Sequence, residues 1–266
     1  MVSASASFTG PQYYDDCLGP VLLDSFAADL VQRLPEHPPG EVLEIACGTG
    51  LVTGRLRERL SPSLRLVATD LSKTMLDYAR AKLDGRKGIE WREADALKLP
   101  FEDEKFGAVV CGFGMMFAPD RQAALKEARR VLVEGGILLF NVWDRIEENP
   151  HALVNAAVVE AMFPGDPEMR FRMPYDMYDP GLLRRLLAGA RFRETRIEAK
   201  RIPIERVDPR GIATAQIRGT PRSALLEKRG VSLDLVIDKV TEALTKAGGN
   251  PYSSQAQAII VQAQAI

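Results

Sequence analysis

The chain has 266 residues, 46% hydrophobic and 27% charged, the proportions of an ordinary globular protein. Its 35 Lys and Arg stand against 36 Asp and Glu, a net charge of −1, so no global field favours nucleic acid or a membrane surface. Three scattered cysteines, Cys17, Cys47 and Cys111, show no CxxC spacing and read as reduced thiols of a cytoplasmic protein, with no disulfide framework and no metal site. The start lacks a basic region with a long apolar core, and no run reaches the roughly 18 apolar residues of a membrane helix. Neither a signal peptide nor a membrane span is expected.

Residues 1–39 read as an N-terminal tail and helical cap. Pro20 opens a predicted helix with Leu22, Leu23, Phe26, Ala27, Leu30, Val31 and Leu34 on one face, and Pro35, Pro38, Pro39 and Gly40 stop it. From 40 to 266 the pattern is one α/β domain. Strands are predicted at about 41–46, 64–69, 89–94 and 106–111, and the helices between carry apolar faces such as Val52, Leu56 and Leu60, or Met75, Leu76, Ala79 and Leu83. The crossover Leu97 to Lys105 is too short for a helix. A helix with Ala124, Leu125, Ala128, Val131 and Leu132 is predicted to end at Glu134-Gly135-Gly136, before a strand from Ile137 to Trp143. A helix at about 180–189, a strand at 191–201 and a closing strand at 256–263 complete the pattern. Such alternation implies a mostly parallel sheet with helices on both faces. Residues 148–180 and 207–252 read as insertions. The first, rich in Pro, Met and aromatics, reads equally as a lid over an apolar substrate or as an ordinary capping subdomain.

The most informative stretch is Val42-Leu43-Glu44-Ile45-Ala46-Cys47-Gly48-Thr49-Gly50, a strand running through a small-residue turn into a helix. The helix start aims amides and the positive end of its dipole at a ligand. Asp70 closes the second strand, where a carboxylate can hold a ribose diol, so the ligand is nucleotide-like. Cys47 at the helix start has no basic partner in view and reads as a small turn-lining residue rather than a nucleophile. Two features imitate short-chain dehydrogenases. Thr49 to Leu56 nearly spells TGxxxGxG but ends in Leu56, inside the helix. Tyr78 and Lys82 spell YxxxK, but after the second strand rather than the fifth.

Glu44 through Gly50 resembles the E/DxGxGxG motif of class I S-adenosylmethionine-dependent methyltransferases. Asp70-Leu71-Ser72, Glu93-Ala94-Asp95-Ala96, Leu99-Pro100-Phe101 through Val110, and Arg129-Arg130-Val131-Leu132-Val133-Glu134-Gly135-Gly136 resemble that family's later signposts, in order. Phe8-Thr9-Gly10, Tyr13-Tyr14-Asp15 and the stretch from Asp179-Pro180 to Phe192 look like its ubiquinone/menaquinone C-methyltransferase-like branch. The resemblance covers about 40–145. It implies a Rossmann-like seven-stranded sheet, its last strand antiparallel, that binds S-adenosyl-L-methionine. Glu44 would supply negative charge near the methionine ammonium or its ordered water, and the Gly48–Gly50 amides would suit the methionine carboxylate. Asp70 would hold the diol and Asp95 the adenine amine, with Leu71 and Met75 about the ring, or with Met75, at helical spacing, simply core. Ala46, Cys47, Ala94, Ala96, Cys111 and Phe113 would complete the pocket. Three positions depart from the family: Ala46 for the first glycine, Gly107 for an aspartate, and Gly189-Ala190-Arg191-Phe192 for Ala-Gly-Phe.

The acceptor is less legible. His151 could be a general base or a plain helix-start residue, and Tyr14 is the second candidate catalytic residue. His37 falls in the Pro-rich turn opposite the ligand end. Tyr13, Tyr14, Phe113, Phe117, Tyr175 and Tyr178 are candidates to line the acceptor pocket or to pack the core. Cys111 to Phe117 lacks the Asn/Asp-Pro-Pro-aromatic signature of amino methylation, and the arginines from Arg184 to Arg201 alternate with Glu194 and Glu198 as a solvated face. The expectation is methyl transfer to a small, partly apolar acceptor, with no nucleic acid and no membrane partner, and with a homodimer left open. The alternatives are an NAD(P)-dependent short-chain-type reductase and a non-catalytic S-adenosylmethionine-binding protein.

Overall fold

The computed structural model describes residues 10–170 and 172–266, and of Cys17 the backbone; Phe8, Thr9 and Phe171, named above, lie outside the described residues. Seven strands make one sheet in the order β3-β2-β1-β4-β5-β7-β6. They are β1 (Glu41–Ile45), β2 (Leu66–Asp70), β3 (Ile89–Glu93), β4 (Phe106–Gly112), β5 (Leu132–Trp143), β6 (Phe192–Val207) and β7 (Tyr252–Ala265). β1 to β5 pair in parallel, and β7 enters antiparallel to β5. This is the Rossmann-like order expected, antiparallel final strand included. Val42, Leu43, Ile45 and their partners Leu66, Val67 and Val109 are buried, as strands covered on both faces require.

The helices are α1 (Pro11–Tyr13), α2 (Asp24–Gln32), α3 (Leu51–Arg59), α4 (Lys73–Lys82), α5 (Arg121–Val131), α6 (Pro150–Met162), α7 (Pro180–Gly189), α8 (Pro209–Arg218), α9 (Arg222–Lys228) and α10 (Leu233–Gly248). Caps set several starts: Ser72, Asp120, Asp179 and Asp208 each accept a backbone N–H from the first turn. No described helix is long and apolar enough to cross a membrane.

Three expectations are corrected. Pro20 does not open a helix: α1 runs into a π-helical stretch, Tyr14–Leu23, that contains Pro20 and continues into α2. The Asp24 amide bonds Gly19 five residues back, and such a widened turn tolerates a residue that lacks an N–H. Leu132 belongs to β5 rather than to the helix before it. It pairs with Phe106, and the ladder resumes only at Ile137 opposite Ala108, so Val133 to Gly136 bulge out of register. β6 also runs on to Val207. It is an edge strand, which tolerates Pro203 and the many charges that disguised its second half.

The chain divides into two compact units. Among the described residues, the sheet unit comprises Phe26–Asp144, Met173–Lys200 and Ala258–Ile266, and the helical unit comprises 10–25, 145–170, Arg172 and Arg201–Gln257. The boundary at Arg172 falls inside the segment 148–180 that the sequence presents as one insertion. In the helical unit α10 buries Leu233, Val236, Ile237, Val240 and Leu244, a helical stripe, and α6 and α8 pack against it. A buried polar chain runs through this unit: Arg222 donates to Asn155 Oδ1 (2.5 Å) and Asn155 Nδ2 to Gln216 Oε1 (2.7 Å).

Candidate active site

The site is built at the carboxyl ends of β3, β2, β1 and β4, neighbours in the sheet unit. After β1 the chain turns through Ala46, Gly48 and Gly50, with φ of 54°, 55° and 77°. A Cβ on Gly50 would stand 3.0 Å from Ala79 Cβ and 3.1 Å from Leu83 Cδ1, so a glycine lets α3 start tight against α4. The turn is closed by its own hydrogen bonds. Cys47 donates to the Thr69 carbonyl (2.9 Å) and Gly50 to that of Cys47 (2.9 Å).

Asp70 organises the next layer. Its Oδ2 accepts the Gly48 amide and its Oδ1 the Ser72 amide, both at 2.8 Å. Burial raises its pKa, against the opposing pull of the Ser72, Gly48 and Leu71 amides. Of the Gly48–Gly50 amides expected to face a ligand carboxylate, two are already engaged within the protein. Gly48 N–H is committed to Asp70 and Gly50 N–H to Cys47.

Glu44, at 1% exposure, sits beneath the turn. Its carboxyl lies against the amide of Thr53 in the first turn of α3, beside a Thr53 hydroxyl that is itself buried without a hydrogen-bond partner. Oε2 is nevertheless buried without a hydrogen-bond partner. Burial pushes its pKa up to about 8; Thr53 resists the shift and the charge of Asp70 adds to it. Cys47 packs in a cluster with Ala68, Leu76, Ile89 and Trp91, and burial first, then Glu44 and Asp70, push its thiol well up. Burial likewise pushes Cys111 up to about 12. Both are buried free thiols.

Asp95, two residues beyond β3, is exposed, and its Oδ1 accepts the Leu97 amide (2.9 Å). Ala94 N–H bonds the Asp70 carbonyl (3.0 Å), which brings the ends of β2 and β3 together, with half-buried Ala96 beside them. The expected pair about a ring is unequal: Leu71 is 48% exposed, while Met75 is 5% exposed and turned into the core. After β4, Phe113 has φ 54° and is stacked on Trp143 (centroids 4.2 Å apart), which in turn stacks on Tyr175 (6.1 Å). Phe117 and Tyr178 are exposed. Tyr78 and Lys82 both lie on α4, after β2.

His151 and Tyr14 belong to the helical unit. His151 is 1% exposed at the start of α6, and burial pushes its pKa down to about 4 against the hydrogen bond its ring donates to the Gln255 backbone. In the free chain the ring is therefore enclosed rather than open to an acceptor. Tyr14 is half-buried in the π-helical stretch, its backbone against Gly219. The sequence reading missed Thr53, Gly114, Asn141 and Trp143. Only tertiary packing singles them out, since none belongs to a local motif.

The "Methyltransferase domain" family model matches residues 43–140. A demethylmenaquinone methyltransferase of Lactococcus lactis is 37% identical over 115 residues, 42% of this chain and 46% of that protein. The chain thus spans about half the length of the curated relatives it matches. A candidate methyltransferase from Bacillus halodurans superposes with TM-score 0.60 at 21% identity, covering 90% of this chain and 98% of that one. The [4+2]-cyclase SpnF superposes with TM-score 0.58 at 17% identity over 97% of each chain. These two likenesses speak for the fold alone. Residues 43–140 are thus similar to the methyltransferase-domain family, and the sheet that carries them has the Rossmann-like order of the solved structures it superposes on.

Proposed function

We propose that this protein transfers a methyl group from S-adenosyl-L-methionine to a small-molecule acceptor, releasing S-adenosyl-L-homocysteine. The observation that carries the reading is Glu44: a carboxyl held beneath the family's Gly turn with one buried oxygen lacking a partner. A cationic group brought against that oxygen would satisfy it, and the methionine ammonium is one. Asp70 at the end of β2 would take the ribose diol through the lone pairs its two amide bonds leave free. Asp95 would accept from the adenine amine, with Leu71 as the open apolar face beside it.

The sulfonium supplies its own leaving group, so in-line displacement at the methyl carbon asks the protein chiefly for alignment, an effect of about 7–11 kcal/mol in favourable cases. With His151 enclosed, an acceptor that arrives already nucleophilic fits this chain better than one needing deprotonation by it. The aromatic rings of Phe113, Trp143 and Tyr175 favour a partly apolar acceptor. A cap role for 148–180 and 207–252, a cytoplasmic location and the absence of a nucleic-acid or membrane partner belong to the same reading and rest on the sequence.

Calorimetry with S-adenosylmethionine and, separately, NADPH is the first test: binding of the sulfonium alone is expected, and binding of the nicotinamide alone would overturn the reading. A screen of metabolites with methyl-labelled cofactor then separates a transferase from a silent binder. The cyclase with this fold makes that step necessary.

A further inference from the structure

β1 and β4 lie side by side, and both leave the sheet through a left-handed residue that is not glycine: Ala46 after β1 and Phe113 after β4, each with φ 54°. Such a conformation is unusual for alanine and an outlier for phenylalanine, and it persists only where the surroundings impose it. Two features impose it here. The Phe113 amide is held by Asn141 of β5, donating to its Oδ1 (2.9 Å) and its carbonyl (3.2 Å). Asn141 is 1% exposed, and its Nδ2 is buried without a partner, so the side chain is kept in the core for what Oδ1 does. The second feature is Gly114. A Cβ placed there would land on the Ala46 Cβ and lie 2.8 Å from Cys111 Sγ. The Cβ that Ala46 adds to the Gly turn is therefore accommodated by a missing Cβ across the gap.

We propose that Gly114 and Asn141 are positioning residues of the cofactor pocket: together they lock the exits of β1 and β4 so that Ala46 and Phe113 flank the bound S-adenosylmethionine at a fixed separation. This rests on the cofactor reading above and adds two residues that no motif of the chain marks. Neither touches the cofactor. Gly114 acts through Ala46, and Asn141 acts through Phe113.

Titration calorimetry with S-adenosylmethionine, below the melting midpoint of every variant, is the test. Gly114→Ala is expected to weaken binding by at least about tenfold, and Ala46→Gly in the same chain to restore it to within about threefold of Ala46→Gly alone. Asn141→Leu, close in volume but without the acceptor for Phe113, is expected to weaken binding comparably, and it decides the matter if Gly114→Ala does not fold. A purely structural role would lower the melting midpoint and leave affinity unchanged. Unchanged affinity in the variants, or no restoration by Ala46→Gly, overturns the proposal. A wild-type chain that fails to bind S-adenosylmethionine overturns the parent reading instead.

Discussion

Glu44 is an acid whose folded environment favours the protonated form, with a pKa pushed up to about 8 by burial. Between its ordinary value of 4.5 and that figure, the folded chain holds more protons at this residue than the unfolded chain does. Raising the pH through this window removes stability from the ligand-free protein, by at most about 1.4 kcal/mol per pH unit from one group. The expected result is that wild type loses melting midpoint relative to Glu44→Gln as pH rises from 5 to 8, while Glu44→Gln binds S-adenosylmethionine more weakly. Parallel midpoint curves for the two proteins would remove the buried acid from the account. Asp70 carries two backbone amides as well as its proposed ribose role. Asp70→Ala should weaken cofactor binding by roughly 10–100-fold, the worth of a hydrogen bond to a charged group, as read by calorimetry. Unchanged affinity would restrict Asp70 to holding the turn. At this scale the sequence exposed the acids, because strand ends and small-residue turns are local patterns. It could not expose where the amides go. Gly48 looks like a donor awaiting a ligand until Asp70 is seen to occupy it.

The turn from β1 into α3 is the element on which the site depends. Gly50 combines a left-handed backbone with Cβ contacts to Ala79 and Leu83 that leave no room for a methyl group. Gly50→Ala is expected to lower stability by about 2 kcal/mol or more, strain and overpacking together, measured by urea unfolding. A change below about 0.5 kcal/mol would mean that α3 and α4 separate easily. The sequence predicted β1 to β4 well, and in β1, β2 and β4 the signal is an apolar run bounded by turn residues. The elements it misread are those where a neighbour overrides local preference. Leu132 continues an apolar helical stripe, yet its pairing with Phe106 makes it strand. Pro20 has the look of a first helical turn, yet lies inside a longer helix. The second half of β6 alternates charge in a way that an isolated window cannot tell from a loop.

Each unit of the molecule is discontinuous in sequence, three segments apiece, and no window along the chain signals that interleaving. The helical unit carries the group that should limit acid stability. His151 is held neutral with its pKa pushed down to about 4 from 6.5, so the unfolded chain binds the extra proton first as pH falls between those values. Thermal unfolding should therefore show wild type losing midpoint from pH 6.5 to 4 faster than His151→Leu, and equal slopes would place the acid limb elsewhere. The order of the sheet has a further consequence, one of timing. β7 sits between β5 and β6, and its Ile259, Ile260 and Val261 pair with Val142, Asn141 and Phe140 of β5. During synthesis β5 and β6 leave the ribosome with the seat between them vacant, and an apolar strand edge stays open until the chain that fills it has emerged. Any cut that removes residues beyond 252 should leave a protein that reaches the same early strands and then finds partners in other copies of itself.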